Sequence, residues 1–169
     1  MKKFKNLNLI PYMFITFVLV FVLINLYIKN NFNFTLAEMT FFLTKEKFLL
    51  IASLFTDREI QSYLLMATVI DVVWPITYCL FFYSLNYKTI LNREIRKYIN
   101  FYILFIFLID MCENYLTVRF LLTNNISNVP LCVLATNIKW FAILIIVIIS
   151  IINLYKYLKK YSFSELIQN

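Results

Sequence analysis

The sequence contains no glycine and no histidine, and these two absences exclude several kinds of functional site. Without Gly there is no phosphate-cradling loop, dinucleotide fingerprint, nucleophile elbow or glycine-based helix dimerisation motif. Without His, zinc sites of the usual kind and Ser-His or Cys-His nucleophile pairs are excluded. We therefore predict no metal and no cofactor, and the sequence assigns no catalytic residue.

Cysteine is also scarce. Cys79, Cys112 and Cys132 are odd in number and lie within or beside apolar runs, which argues against a disulfide framework. Small buried packing side chains are the simplest interpretation.

Apolar residues, by contrast, are abundant. The 169 residues are 62% hydrophobic, with a mean hydropathy of +0.77, which is more apolar surface than a soluble domain of this size buries. The net charge of +7 comes from basic residues at the ends of apolar runs, which indicates membrane topology rather than a nucleic-acid partner. The chain therefore reads as an integral membrane protein.

Four apolar runs are each about long enough to cross a bilayer core of roughly 30 Å. They predict an all-α, polytopic membrane protein, a four-transmembrane-helix bundle with short amphipathic helices between spans 1 and 2. We treat residues 1–169 as a single membrane domain and the first run as a retained helix. The predicted spans are about 9–28, 63–87, 99–122 and 131–155.

The segment 30–62 is too apolar for a solvated loop and is predicted to form an extracytoplasmic cap. It contains two possible capping boxes, Thr35 with Glu38 and Thr56 with Glu59. Short helices here would lie on the membrane surface or fold over the mouth of the bundle. Either a structural cap or a lid that gates entry is consistent with this pattern.

The distribution of basic residues predicts the topology. Lys2, Lys3 and Lys5, the basic loop 88–97, and Lys156, Lys159 and Lys160 would be cytoplasmic, whereas the turn 123–130 carries no charge. The positive-inside rule then places both termini in the cytoplasm of a multi-pass protein of the cell (inner) membrane, with the cap outside.

Span 3 carries polar residues on one helical face. Asp110, Glu113, Asn114 and Thr117 are spaced i, i+3, i+4 and i+7. Such residues are costly within a membrane and usually face a bundle interior or a wet cavity. We take this face as the centre of a candidate binding site.

Span 2 has a second polar group. Pro75 removes the hydrogen bond to the carbonyl of Asp71, so a kink there exposes a backbone oxygen at the residue that bears a carboxylate. Trp74 and Tyr78 lie at i+3 and i+7 from Asp71 and are able to donate hydrogen bonds on the same side.

Span 4 contributes Lys139. Counting 1.5 Å per residue from the outer span ends places Asp71, Glu113, Lys139 and Asp110 at about 10 to 18 Å depth. We predict that these side chains and Asn114 converge in the outer half of the bilayer. Three acids around one ammonium would leave an excess of two negative charges, so a proton or another cation should be held there.

The order of these motifs resembles a group of small bacterial four-helix membrane proteins. The likeness covers roughly residues 34 to 150 and rests on Asp71-x-x-Trp74-Pro75-x-x-Tyr78, Asp110-x-x-Glu113-Asn114 and Lys139-Trp140. It implies the four-helix architecture and the polar cluster, and it implies no particular activity.

A looser similarity is to the EXPERA family of four-span sterol isomerases and a sigma-type receptor. An acid followed by Pro in span 2 and Asp57-Arg58 ahead of that span are similar to its pattern. The resemblance implies a ligand among acidic residues that open toward the bilayer, although this chain lacks the His of the isomerase members.

Three classes of function remain open from the sequence. The first is binding or transport of a cation, a proton or a small amphipathic, lipid-like ligand. The second is an intramembrane enzyme acting on lipid, with Asp110 or Glu113 as acid or base and Lys139 stabilising negative charge. The third is a structural or accessory subunit. The lipid bilayer is the expected partner in each case, and the oligomeric state is left open.

Overall fold

The chain folds as a succession of helices. A computed structural model describes residues 9–167, with side chains for residues 11–160, and this described part contains no strand. Short 3-10 turns lie at Ala37–Met39 and Ile126–Asn128. The α-helices are α1 Leu9–Asn31, α2 Lys45–Ala52, α3 Asp57–Leu65, α4 Asp71–Thr89, α5 Arg93–Thr123 and α6 Val129–Ile167. The all-α prediction is confirmed.

Within the described residues, four helical segments are long and apolar enough to cross a membrane, in the predicted number and order. Three of these segments are longer than the spans predicted from the sequence, because the helix continues through the polar residues that flank each apolar run. The segments are Pro11–Asn31, Asp57–Thr89, Arg93–Thr123 and Ile126–Lys160. Lys2, Lys3 and Lys5 of the topology prediction lie outside the described residues.

Helix ends follow local chemistry in a chain without glycine. The side chain of Asn92 accepts hydrogen bonds from the backbone N–H groups of Glu94 and Ile95, which starts α5. At the other end Asn124 takes the left-handed conformation, with φ 50°, where glycine would be usual. Pro130 sits in the first turn of α6, where its missing N–H costs nothing.

The segment between α1 and α3 folds over one end of the bundle. The ring of Phe48 in α2 packs edge-on against Phe120 of α5 at 5.1 Å, and both rings are buried. Of the two predicted placements, the fold over the bundle mouth is therefore the one adopted. The cap comprises residues 32–56 rather than the predicted 30–62, because α1 continues to Asn31 and the second spanning segment already begins at Asp57.

The two predicted capping boxes have different outcomes. Thr56 and Glu59 form the reciprocal capping box at the start of α3, as predicted. The Thr35 and Glu38 prediction is wrong: the 3-10 turn begins after Leu36 with no side-chain cap, and the Glu38 side chain is buried in the bundle instead.

Helices α4, α5 and α6 enclose two separate apolar cores. The cap-side core combines cap residues with the ends of these helices nearest the cap, and comprises Phe32, Leu36, Leu43, Phe48, Tyr63, Met66, Ala67, Phe120, Leu121, Val129 and Cys132. The far-side core comprises Tyr78, Phe82, Ile90, Ile99, Ile103, Ile106, Ala142 and Ile146. On each of these helices, polar residues lie between the two cores.

Helix α1 lies at the edge of the bundle and packs against α4 through aromatic rings. Phe17 stacks on Trp74 at 5.0 Å and on Phe81 at 5.5 Å. The three cysteines are free thiols, as predicted, but Cys112 is exposed on the surface of α5 rather than buried.

Candidate functional site

An ion-pair cluster lies between the two apolar cores. The ammonium of Lys139 on α6 pairs with the Glu113 carboxylate and lies 3.4 Å from Oδ1 of Asp110, both on α5. All three side chains are buried. The predicted convergence of spans 3 and 4 is therefore present, and we call this level of the bundle the polar layer.

Neighbouring hydroxyl groups donate hydrogen bonds to the carboxylates of Asp110 and Glu113. Tyr78 on α4 donates to Oδ2 of Asp110 at 2.6 Å. Thr136 on α6 donates to Oε1 of Glu113 at 2.5 Å, while its hydroxyl also lies 3.0 Å from the carbonyl of Cys132. Each carboxylate thus joins at least two helices, which fixes the register of α4, α5 and α6 at this level.

Asp71 joins the polar layer from α4. Pro75 is buried and has no N–H, so the Asp71 carbonyl lacks its helical donor, and Asn114 of α5 offers its amide to that oxygen at 3.4 Å. The Asp71 carboxylate lies close enough to Lys139, Asp110 and Glu113 to interact with all three electrostatically. Its Oδ2 atom is buried and has no hydrogen-bond partner among the described residues.

A π-helical turn, which the sequence did not predict, precedes Asp71. It spans Met66–Ile70 and ends with the N–H of Asp71 bonded to the carbonyl of Met66. Insertions of this kind re-aim the residues that follow and often occur at functional sites. Together with the missing N–H of Pro75, the π turn leaves Asp71 between two irregular stretches of backbone.

The cap contributes a fourth carboxyl group, Glu38. Its Oε2 accepts a hydrogen bond from Tyr63 of α3 at 2.8 Å, while its Oε1 is buried with no hydrogen-bond partner among the described residues. Burial raises the pKa of Glu38 well above its usual range, and the nearby carboxyls of Asp71 and Glu113 raise it further, with Lys139 opposing them. Burial therefore works against ionisation of Glu38.

Two side chains of α6 attach the cap directly above the polar layer. Asn137 forms two hydrogen bonds of 2.9 Å with Leu43, accepting from its N–H and donating to its carbonyl. Trp140 donates its indole N–H to the carbonyl of Glu38 at 2.8 Å, and its ring lies 4.3 Å from Phe41. These contacts bracket Lys139 in sequence, so the cap and the ammonium are positioned by the same helix turn.

The predicted site residues do not all meet. Asp71, Tyr78, Asp110, Glu113, Asn114 and Lys139 share the polar layer. Trp74 instead stacks against α1, and Thr117 lies one turn nearer the cap, where it lines a small void with Glu38.

Sequence reasoning missed Glu38, Tyr63 and Thr136 as members of the layer. A signal existed for two of them: Glu38 is a lone acid in an apolar stretch, and Thr136 lies three residues before Lys139 on the same helical face. Tyr63 has no comparable signal, because its partner comes from a distant segment.

Two spaces adjoin the polar layer. The void beside Glu38, Tyr63 and Thr117 has a volume of about 10 Å³, which is close to the minimum that holds one water molecule. A larger groove of about 390 Å³ lies between α5 and α6 below the cap and is lined mainly by aromatic and aliphatic side chains, among them Trp140, Phe105 and Phe42.

Comparison of the chain with protein-family models, with curated proteins and with solved structures gives no match in any of the three.

Proposed function

We propose that this multi-pass membrane protein binds a proton or a small cation in its polar layer. The observation that carries the proposal is that four buried carboxyl groups share one buried ammonium: Glu38, Asp71, Asp110 and Glu113 around Lys139. Full ionisation would leave three uncompensated negative charges in a medium of low dielectric. Because that state is strongly unfavourable, positive charge must be taken up from outside the side-chain set.

A purely structural role explains the arrangement less well. Replacement of a buried ion-pair network by apolar side chains of similar volume is often neutral or stabilising, so helix packing alone does not require it. Ionisable residues inside a membrane more commonly mark an ion or proton site. The unpaired oxygens of Asp71 and Glu38 provide acceptor positions for such a charge.

Size favours a proton or a small cation over a larger ligand within the layer. The void beside Glu38 holds about one water molecule, whereas a drug-sized ligand needs a pocket of roughly 300 Å³ or more. Cap residues, Glu38 among them, form most of the lining of this void, so we propose that the charge enters from the cap side.

The distribution of charged residues supports an orientation for this entry. With both termini and the loop 88–97 in the cytoplasm, the cap faces outward from the cell (inner) membrane, as the positive-inside rule predicts. The proton or cation would then come from the external face.

The proposal is tested by counting the protons that the polar layer holds. Potentiometric titration of the purified protein is compared with that of Glu38→Gln/Asp71→Asn, and the matched control is Glu46→Gln/Glu59→Gln, which removes two exposed carboxyls of the cap-side surface. The difference between the wild type and Glu38→Gln/Asp71→Asn should include a proton that is still bound at neutral pH or that is released on addition of NaCl. The control difference should fall in the acidic range of ordinary carboxyls.

A titration with only ordinary carboxyl pKa values would contradict the proposal. If the Glu38→Gln/Asp71→Asn difference also falls entirely in the acidic range and no salt releases a proton, the carboxyls are ordinary anions. The polar layer then binds no additional positive charge.

The groove between α5 and α6 supports a second candidate, an amphipathic, lipid-like ligand. Its volume of about 390 Å³ lies in the range of small-molecule sites, and its Trp140 ring lies 5.6 Å from the Lys139 ammonium. Trp74→Phe leaves Trp140 as the sole tryptophan. Saturable quenching of its fluorescence by a brominated single-chain amphiphile would support a site, and quenching that rises linearly without saturation would exclude it.

A further inference from the structure

The end of the bundle opposite the cap carries a basic cavity that the proposed cation site does not use. It is an open depression on the surface of the first three turns of α5, with a volume of about 570 Å³. The described residues that line it are Arg93, Glu94, Arg96, Lys97, Asn100, Phe101 and Leu104, all on α5. Three basic groups and one acid give it a net positive charge.

The lining changes from charged to apolar along the helix axis. Arg93 and Lys97 are exposed at the end of the span, whereas Phe101 and Leu104 are exposed two to three turns further on, where the helix enters the apolar run. An exposed apolar surface at that level faces lipid chains. The cavity thus presents cations at headgroup level and apolar side chains at acyl level.

One cation and one amide shape the headgroup end. Arg96 is held in place, because its guanidinium donates to the Tyr87 carbonyl at 3.2 Å and stacks on the Tyr87 ring at 4.4 Å. Oδ1 of Asn100 is buried and has no hydrogen-bond partner among the described residues. Asn100 lines the cavity, but this buried oxygen offers no exposed surface to a headgroup.

We propose that this cavity binds the headgroup of an anionic phospholipid such as phosphatidylglycerol. The phosphate would lie against Arg93 and Lys97, and an acyl chain would pack on Phe101 and Leu104. Basic pockets at the membrane ends of helices select anionic lipids by this charge complementarity. The proposed topology puts the cavity in the cytoplasmic leaflet.

The test uses native mass spectrometry of the detergent-purified full chain with phosphatidylglycerol or phosphatidylcholine at equal concentration. We expect a strong preference for phosphatidylglycerol, and a loss of about 25-fold in its binding in Arg93→Gln/Lys97→Gln, at about a factor of five per basic residue removed. The matched control Lys45→Gln/Lys47→Gln removes the same charge from exposed positions on α2 and should bind lipid as the wild type does.

Three outcomes would overturn the proposal. Equal binding of the two lipids would show that charge does not select the ligand. Equal losses in the two double variants would show that only net charge matters. Displacement of the lipid by excess inorganic phosphate would assign the cavity to free phosphate instead. Because Arg93 and Lys97 lie far from the polar layer in sequence and in depth, these outcomes leave the proposed cation site untouched.

Discussion

The polar layer and the far-side core are built by the same three helices, yet they hold those helices together in different ways. In the far-side region, Asn86 of α4 donates at 2.8 Å to the Ser150 hydroxyl of α6 and at 2.9 Å to its own helix. Both residues are buried and neutral. In the polar layer, a few turns away, the same helices meet through carboxylates and an ammonium.

The charges of the polar layer have a role other than joining the helices. Neutral hydrogen bonds and apolar packing are enough to join α4 and α6 in the far-side region, so charged groups are not needed to hold this bundle together. A layer with four carboxyls and one Lys is more costly than the Asn86–Ser150 pair and needs a separate reason. Uptake of positive charge is the reason we propose.

The largest expected effect in this comparison is that of Lys139→Met. Loss of the ammonium leaves the buried carboxylates of Asp110 and Glu113 without a counter-charge, and we expect about 3 to 5 kcal/mol of destabilisation at neutral pH. The loss should shrink at acidic pH, because protonation of the carboxyls removes the uncompensated charge. Denaturant unfolding in detergent micelles at several pH values measures both effects.

The matched control lies in the far-side region. Asn86→Leu removes a buried neutral donor and should cost only about 1 to 2 kcal/mol, with no pH dependence. If Lys139→Met costs no more than Asn86→Leu at neutral pH, the polar layer is not electrostatically distinct from the rest of the bundle.

An intermediate effect is expected where the cap attaches. Asn137→Ala removes both hydrogen bonds to the Leu43 backbone, which should cost about 1 to 3 kcal/mol and loosen the cap. Hydrogen exchange of the amides in residues 36–44 should accelerate while the far-side helices keep their protection. Trp140→Phe, which loses one hydrogen bond but keeps an aromatic ring against Phe41, should have a smaller effect of the same kind. Uniform acceleration throughout the chain would contradict a locally attached cap.

Glu38→Gln should have the smallest effect on stability at acidic pH. Whether the variant becomes more or less stable than the wild type as the pH rises shows whether burial disfavours ionisation of Glu38. The folded-state pKa of Glu38 is raised, chiefly by burial, so the folded protein binds a proton more tightly than the unfolded chain does. The contribution of Glu38 to wild-type stability must then fall as the pH rises above the unfolded-state value of about 4.3. Gln resembles the protonated form and cannot ionise, so the variant should become progressively more stable than the wild type as the pH rises. A variant that is less stable at high pH would show that Glu38 is ionised in the folded state.

The fold could be predicted from the sequence because the membrane makes strong demands on it. Runs of about 20 apolar residues have few alternatives to spanning helices, and helical rise placed Asp110, Glu113 and Lys139 at similar levels, where they meet in the structure. Asp71 also joins them, and its carbonyl, which Pro75 leaves without a helical donor, accepts a hydrogen bond from Asn114. Helical spacing was therefore enough to predict the position of a residue that lies within a long spanning helix.

The site was less predictable where distant segments compete for a side chain. Thr35 and Glu38 have the same spacing as Thr56 and Glu59, yet only the second pair forms a capping box. At Glu59 the side chain is exposed, so the local hydrogen bond has no rival. At Glu38 the Tyr63 hydroxyl and the burial of the cap draw the carboxyl inward, which no local pattern reveals.

The claim that the polar layer holds bound positive charge is tested most directly by infrared spectroscopy of the protein in lipid bilayers. The measurement is made at neutral pH in a buffer whose only cation is too bulky to enter, so that protons alone can neutralise the carboxyls. We predict a protonated-carboxyl band in the wild type that weakens in Glu38→Gln and is abolished or shifted in Glu38→Gln/Asp71→Asn. A spectrum in which every carboxyl is ionised would contradict the account.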